Sequence, residues 1–393
     1  MQANLKLPVV LVGAVAVLAL GLSLGDIFHG QFYNPLAGRP SQQLSAANLA
    51  SLNDIYGVLQ RHYDGKLDQA KLLDGARSGL VAATGDPYTS YLTAKDAKTL
   101  QDDLDGQLSG IGAEIGIKNN FVTVVAPIDE TPAARAGLKP QDIIARINDE
   151  DTTGMSVDTA VSKIRGEAGT TVKLKLIRGS QPAFDVSITR EQITVKSVKW
   201  ELKPNNVGYI EVSRFGSDTT SLIDQASVDL KAKGARKIVL DLRNNPGGYL
   251  EAGVAVASEF LPKGKLVVEQ RRGSKSIDKQ TAYGGGDLVG LPMIVLVNGG
   301  SASAAEIVAG ALRDAKAATI YGEKTFGKGS VQEIKPLPGG AEVKVTVAHW
   351  YTPAGVNIGR EGIKPDIEIK QTPEDYSADR DPQLDAALAK LSQ

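Results

Sequence analysis

The sequence contains no cysteine, so disulfides, thiol catalysis and cysteine-ligated metals are excluded. Histidine is almost as scarce. His29, His62 and His349 stand far apart, which argues against a histidine zinc site and leaves any Ser-His-Asp triad to recruit an isolated imidazole. Aromatics are 5% of the chain, and neither charge sign dominates: 44 basic residues face 45 acidic ones, for a net charge of −1. That balance carries no electrostatic footprint for nucleic acid or for a charged surface partner. Repeats and low-complexity tracts are absent as well. At 393 residues and 42% hydrophobic content, the chain exceeds one ordinary core and reads as two or three globular domains.

One long hydrophobic run is present, at the start. Met1 to Lys6 carries a single basic side chain, and Leu7 to Gly25 is uncharged. As a helix, that run would extend roughly 28 Å, close to the hydrocarbon thickness of a bilayer. It is long for a signal-peptide core, and no clear small-x-small cleavage site follows, so a signal anchor is the favoured reading over a cleaved signal peptide. A buried core helix is the third reading. Either export reading places the body in a periplasmic or extracytoplasmic compartment, and the favoured one anchors it in the inner membrane by residues 7–25. A cysteine-free chain suits an oxidising compartment.

Residues 27–46, with Pro35 and Pro40, read as a tether. Leu49, Leu52, Ile55, Tyr56 and Leu59 then fall on one helical face, and two further amphipathic runs cover 67–83 and 94–104. Between these two runs lies Gly85-Asp86-Pro87-Tyr88-Thr89-Ser90-Tyr91-Leu92, turn chemistry followed by aromatics. From Gly110 the pattern changes to short strands at 113–117, 121–126, 143–147, 171–177 and 183–188, with helices at 132–136 and 156–164. After Glu191, Lys237 to Leu242 and Met293 to Val297 are continuous apolar strands, each followed by a glycine-containing turn and a helix, over 250–260 and 304–315. That repetition is βαβ architecture. Residues 382–391 read as a final short helix.

Two segments carry the strongest chemical signal. Ser303 lies in Gly300-Ser301-Ala302-Ser303-Ala304-Ala305-Glu306-Ile307, where a buried strand gives way to a helix. There a hydroxyl sits beside unpaired backbone N–H groups that can stabilise an oxyanion. The same residues fit a capping box, with Ser303 capping the helix and Glu306 capping back, and Ser301 is a neighbouring nucleophile candidate. Lys328 stands 25 positions later in Thr325-Phe326-Gly327-Lys328-Gly329-Ser330-Val331-Gln332. A lysine activates a serine only when neutral, which burial supplies by lowering its pKa. Gln332 could orient Lys328 if the segment turns helical after Gly329. Asn245-Pro246-Gly247-Gly248, after the strand ending in Asp241-Leu242, offers a tight turn with exposed N–H groups for the other half of an oxyanion hole. Ser109-Gly110-Ile111-Gly112 could hold a peptide carboxylate while an adjacent strand edge pairs with the peptide. Ser276-Ile277-Asp278-Lys279 also matches S-x-x-K, but its charged surroundings would keep that lysine protonated.

In this order these segments resemble the carboxyl-terminal processing peptidases, serine–lysine proteases with an embedded PDZ domain. The likeness extends from about Ala47 to Ile369 and includes Tyr351-Thr352-Pro353-Ala354-Gly355 and Gly362-Ile363-Lys364-Pro365-Asp366-Ile367. The fold it implies is multidomain α/β. Residues 1–30 would form the signal segment, 31–105 a tether and helical region, and 106–190 a PDZ domain; 191–372 would be a crotonase-like α/β protease core, and 373–393 a C-terminal helix. It implies Ser303 as nucleophile, Lys328 as general base and Gln332 as its orienting partner. The N–H of Ala304, with that of Gly247 or Gly248, would form the oxyanion hole. Gly110, Ile111 and Gly112 would bind the substrate carboxylate, and Arg165 would couple the PDZ domain to the active site. Ala305 and Trp350 depart from the family's usual serine and tyrosine. The activity implied is a serine endopeptidase that takes exported proteins by free apolar C-termini, needs no metal or cofactor, and leaves room for a homo-oligomer and an adaptor protein. A catalytically silent PDZ scaffold and a crotonase-like acyl-transfer enzyme are the competing readings.

Overall fold

The computed structural model describes residues 44–393 apart from 119–120, 129, 373, 376–377 and 379. The apolar run at 7–25 and most of the tether lie outside the described residues. Among those described, no helix is long and apolar enough to cross a membrane. The chain divides into a unit of residues 1–69 and a unit of residues 70–393. In the first, α1 (Ala46–His62) begins at Ser45, whose hydroxyl accepts the Asn48 N–H at 3.2 Å and satisfies one orphan donor of the first turn. No residue of α1 is buried.

The second unit opens with α2 (Gln69–Ala82), β1 (Ser90–Leu92) and α3 (Ala94–Leu104). Next, β2 (Gln107–Gly110) pairs antiparallel with β9 (Glu191–Thr194), and this ribbon brackets a block of its own. The block contains β3 (Ala113–Lys118), β4 (Phe121–Pro127), α4 (Pro132–Arg135), β5 (Ile143–Ile147), β6 (Glu150–Asp151), α5 (Val157–Ile164), β7 (Thr171–Ile177) and β8 (Phe184–Thr189). Its sheet runs β3-β4-β5-β7-β8, with β6 on β5, which leaves β3 as an edge. Strict alternation drives the burial. Val172, Leu174 and Leu176 of β7 enter a core shared with Ile144, Ile147, Ala160 and Ile164, while Lys173 points to solvent.

The remaining chain forms β10 (Val198–Lys203), β11 (Val207–Val212), α6 (Thr219–Ala232), β12 (Lys237–Asp241), α7 (Leu250–Ser258), β13 (Leu266–Arg272), β14 (Lys275–Thr281), β15 (Met293–Val297), α8 (Ala304–Asp314), β16 (Thr319–Gly322), β17 (Ser330–Pro336), β18 (Glu342–Tyr351), α9 (Ile358–Glu361), β19 (Ile367–Glu368) and α10 (Pro382–Ser392). The central sheet runs β10-β11-β12-β15-β16-β19, parallel from β11 onward. Ile210, Leu240 and Val295 face a core that includes residues of α6, α7 and α8. Val239, Ile294 and Leu296 face the opposite side, against Ala387 and Leu391 of α10. Burial on both faces is why these strands are unbroken apolar runs. A second sheet, β1-β18-β13-β14 with β17 on β18, brings the N-terminal Ser90–Leu92 segment onto the far end of the chain.

Candidate active site

The turn from β15 into α8 is sewn to the turn after β12. Ser301 is fully buried; its hydroxyl donates to the Leu242 carbonyl at 2.7 Å and accepts the Asn298 N–H at 3.0 Å. Asn298 and Asn244 exchange bonds: the Asn244 N–H donates to Asn298 Oδ1 at 2.9 Å, and Asn298 Nδ2 donates to Asn244 Oδ1 at 2.8 Å. Ser301 is thus engaged in holding the turn. Two residues on, Ser303 is partly exposed and sits at φ 55°, ψ −115°, a conformation that L-residues avoid. Such strain costs about 1–3 kcal/mol and persists only where neighbouring contacts impose it. The Ser303 N–H donates to Glu306 Oε2 at 2.9 Å, the return arm of a capping box. Its hydroxyl makes no capping hydrogen bond.

Gly247 and Gly248 approach this serine from the other turn. A Cβ on Gly247, at φ 99°, would fall 2.7 Å from Ser303 Cβ and 3.1 Å from the Ala304 nitrogen. The two glycines differ in their N–H groups. That of Gly247 donates to Asn245 Oδ1 at 2.8 Å, whereas the exposed Gly248 donates to no acceptor among the described residues. The N–H of Ala304, first in α8, has no acceptor there either.

The segment before β17 is held as firmly. The Phe326 N–H donates to the Ser301 carbonyl at 3.0 Å and the Trp350 N–H to the Gly329 carbonyl at 2.7 Å. Gly329 has no room for a side chain, since a Cβ would lie 1.9 Å from the Gly359 nitrogen. The N–H groups of Gly327 and Lys328 donate to Glu306 at 2.8 and 2.9 Å. Burial, then the like charge of Lys344, pushes the Lys328 amine below the ordinary lysine range, against an upward pull from Glu306. Gln332 departs from its expected place. Ser330 onward is strand, paired with β18, so Gln332 shares a face with Ser330 and no helical i, i+4 relation to Lys328 exists. Cross-strand pairing overrides the local pattern. Gln332 Nε2 donates to Ser330 Oγ at 2.5 Å and lies 3.5 Å from Thr346 Oγ1. Among the described residues, no hydrogen bond joins the side chains of Ser303, Lys328 and Gln332.

The Gly85–Leu92 motif, given no site role by the sequence, borders the same region. The Thr89 hydroxyl donates to Asp86 Oδ2 at 2.6 Å and accepts the Thr346 N–H at 3.0 Å. Burial would raise the Asp86 carboxyl, but the Thr346 and Thr89 hydroxyls hold it below the usual range. Asp86, Tyr88, Thr89, Thr346 and His349 line a cleft of about 830 Å³ with Gly327 and Gly329. The competing Ser276 and Lys279 lie on β14; Lys279 is 57% exposed, 3.7 Å from Glu269.

A smaller cleft, about 190 Å³, opens between β3 and α5 and is lined by Gly110, Ile111, Gly112, Ile115, Val161 and Arg165, among others. The N–H groups of Ile111 and Gly112 meet no acceptor among the described residues, while their carbonyls accept the Ala133 and Ile128 N–H groups. Arg165 ends α5 and pairs with Asp103 of α3 at 3.3 Å, both side chains 45% exposed.

Residues 206–369 match the description Peptidase family S41, residues 123–178 match PDZ domain, and residues 33–96 match Activating protease CtpB N-terminal domain. The carboxy-terminal processing protease CtpA of Bacillus subtilis (strain 168) is 38% identical over 98% of this chain and 81% of its own. A CtpA-like serine protease of Staphylococcus aureus (strain MSSA476) is 38% identical over 92% of this chain and 71% of its own. Among solved structures, a photosystem II D1 C-terminal processing protease is 31% identical, covering 87% of this chain and 91% of its own with a TM-score of 0.55. An S41 protease from Bacteroides fragilis NCTC 9343 shares the fold at 17% identity and a TM-score of 0.60, over 90% and 99% of the two chains. With identity at this level along nearly its whole length, the chain belongs to peptidase family S41 and is a serine-type, carboxy-terminal processing protease whose PDZ domain takes protein substrates at their C-termini.

Proposed function

We propose that Ser303 is the nucleophile of this protease and Lys328 its general base. One observation carries the reading. The Ser303 and Lys328 N–H groups donate to the same oxygen of Glu306, each at 2.9 Å, so the two backbone nitrogens are at most twice that, 5.8 Å, apart. Two residues separated by 25 positions are therefore held in one frame, with the lysine amine partly buried and its pKa lowered. A neutral amine can take the serine proton as the hydroxyl attacks the scissile carbonyl and return it to the leaving amine; water then releases the acyl-enzyme. The N–H groups of Ala304 and Gly248 receive the developing oxyanion, because the Gly247 N–H is already engaged by Asn245.

That no hydrogen bond among the described residues joins the side chains of Ser303, Lys328 and Gln332 supports a resting state in which they are not yet aligned. Substrate capture supplies the alignment: a C-terminal carboxylate on the N–H groups of Ile111 and Gly112, its chain added along the β3 edge, reaches the α5 end where Arg165 pairs with Asp103. Arg165 is the regulatory link in this reading. The apolar run at 7–25 supports an exported protease, anchored in the inner membrane and acting on extracytoplasmic proteins, with self-assembly or an adaptor protein as further layers of control.

The test is digestion of casein or of a peptide with a free apolar C-terminus by the wild type, Ser303→Ala and Lys328→Ala. Both variants should fold and lose cleavage. Near-normal turnover by either would remove the role assigned to that residue.

A further inference from the structure

The geometry points to Glu306 as a positioning residue of the dyad, a buried anion that clamps the backbone of the nucleophile to the backbone of the base. The inference rests on the assignment of Ser303 and Lys328 above and extends it to a residue that touches no substrate.

Glu306 is the third residue of α8 and is fully buried. A carboxylate in that position is costly unless donors surround it. Four do. Oε2 accepts the N–H groups of Ser303 and Lys328, both at 2.9 Å, and Oε1 accepts the Thr325 hydroxyl at 2.5 Å and the Gly327 N–H at 2.8 Å. A capping box explains only the bond to Ser303. The other three fasten the segment that leads into the base, 19 to 22 positions away. Thr325 extends the clamp, since its Oγ1 also accepts the Ile363 N–H at 2.7 Å.

Every partner donates, so the site fits the ionised carboxylate. Burial pushes the Glu306 carboxyl above the usual range, and the four donors offset only part of that rise. A protonated acid or an amide would turn a hydrogen toward at least one backbone N–H and lose that bond. The charge has a second effect. Of the charged groups acting on Lys328, Lys344 of β18 pushes its pKa down and Glu306 of α8 pulls it up. Glu306 therefore holds the backbone of the base in place and opposes the downward shift that burial and Lys344 impose on its amine. A purely structural carboxylate would do neither.

Glu306→Gln, Thr325→Val and Thr325→Ser separate these effects in the full-length protein, read by kcat, KM, the pH profile of kcat on a C-terminal peptide, and the melting temperature. Misplacing reacting groups by about 1 Å costs on the order of 100-fold in rate. Folded Glu306→Gln should lose about that much in kcat, keep KM within about threefold, and shift the acid limb of kcat to lower pH, because the anion that raised the lysine pKa is gone. Thr325→Val, which keeps the charge, should lower kcat by about tenfold with the limb unmoved, and Thr325→Ser should restore it. Normal kcat in folded Glu306→Gln, a loss confined to KM, or an unmoved acid limb overturns the inference. Should Glu306→Gln fail to fold, the threonine pair decides: equal kcat in both threonine variants and the wild type overturns it. Ser303→Ala, run in parallel, keeps the two claims apart. An active Ser303→Ala sinks the dyad itself. An inactive one beside a normal Glu306→Gln sinks only the clamp.

Discussion

The protease site and the PDZ groove are built to different standards of rigidity. Around Ser303 and Lys328 the backbone is pinned by buried partners: Ser301 is fully enclosed, Glu306 accepts four bonds, and Gly329 touches the backbone at Gly359. From the PDZ groove, Arg165 reaches α3 through one ion pair, 45% exposed on each side. An exposed pair of that kind is worth about 0–1 kcal/mol and is readily exchanged. The difference suggests a division of labour. In the function proposed above, the reactive frame is prebuilt and Arg165 places control in a contact weak enough for a captured tail to rearrange.

That comparison can be broken at either end. The largest effect should come from Ser303→Ala and Lys328→Ala, with kcat falling by roughly 10⁴-fold or more in a digestion assay. Gly247→Ala comes next: its new Cβ would stand 2.7 Å from Ser303 Cβ at a backbone φ of 99°, so kcat should drop by about 100-fold. Arg165→Ala should change kcat by about tenfold while the melting temperature moves by no more than about 2 °C. Unchanged kinetics there would place the control elsewhere. Lys344→Ala removes the like charge that lowers the Lys328 pKa. The base would then become neutral at higher pH, so the acid limb should move up and activity at pH 7 should fall by about two- to threefold. A limb that moves down would contradict the electrostatic account. Ser301→Ala should lower stability by about 1–3 kcal/mol, since the Leu242 carbonyl and the Asn298 N–H lose the Ser301 hydroxyl, yet the variant should still cleave.

The parts legible in the sequence are those written locally. Met293 to Val297 is unbroken and apolar because both faces of β15 are covered, and the glycine turn and helix that follow locate Ser303 without further information. The engagement of the Gly247 N–H is also legible in the sequence. An asparagine two residues before a glycine commonly captures that N–H, and Asn245 does so. Helix α6 is not legible in the sequence because Thr219, Ser221 and Asp224 interrupt its apolar positions. The charged Arg271–Gln280 stretch reads as solvated chain, whereas β13 and β14 use its alternation as a hairpin. The helical relation that would bring Gln332 onto the face of Lys328 does not form, because β18 turns the segment into strand. The Asp86 motif reaches the cleft that Gly327 and Gly329 line through β18, by the β1 pairing and by Thr346, 257 positions from Thr89. No sequence window spans such a pair, and the same holds for the three donors that make Glu306 more than a cap.

The most direct measurement is the site of covalent labelling by a fluorophosphonate, mapped by peptide mass spectrometry in the wild type, Ser303→Ala and Lys328→Ala. The account predicts a single adduct on Ser303, absent from Ser303→Ala and greatly slowed in Lys328→Ala. An adduct on Ser301 or any other residue, or labelling of Ser303 at an undiminished rate without Lys328, would contradict it.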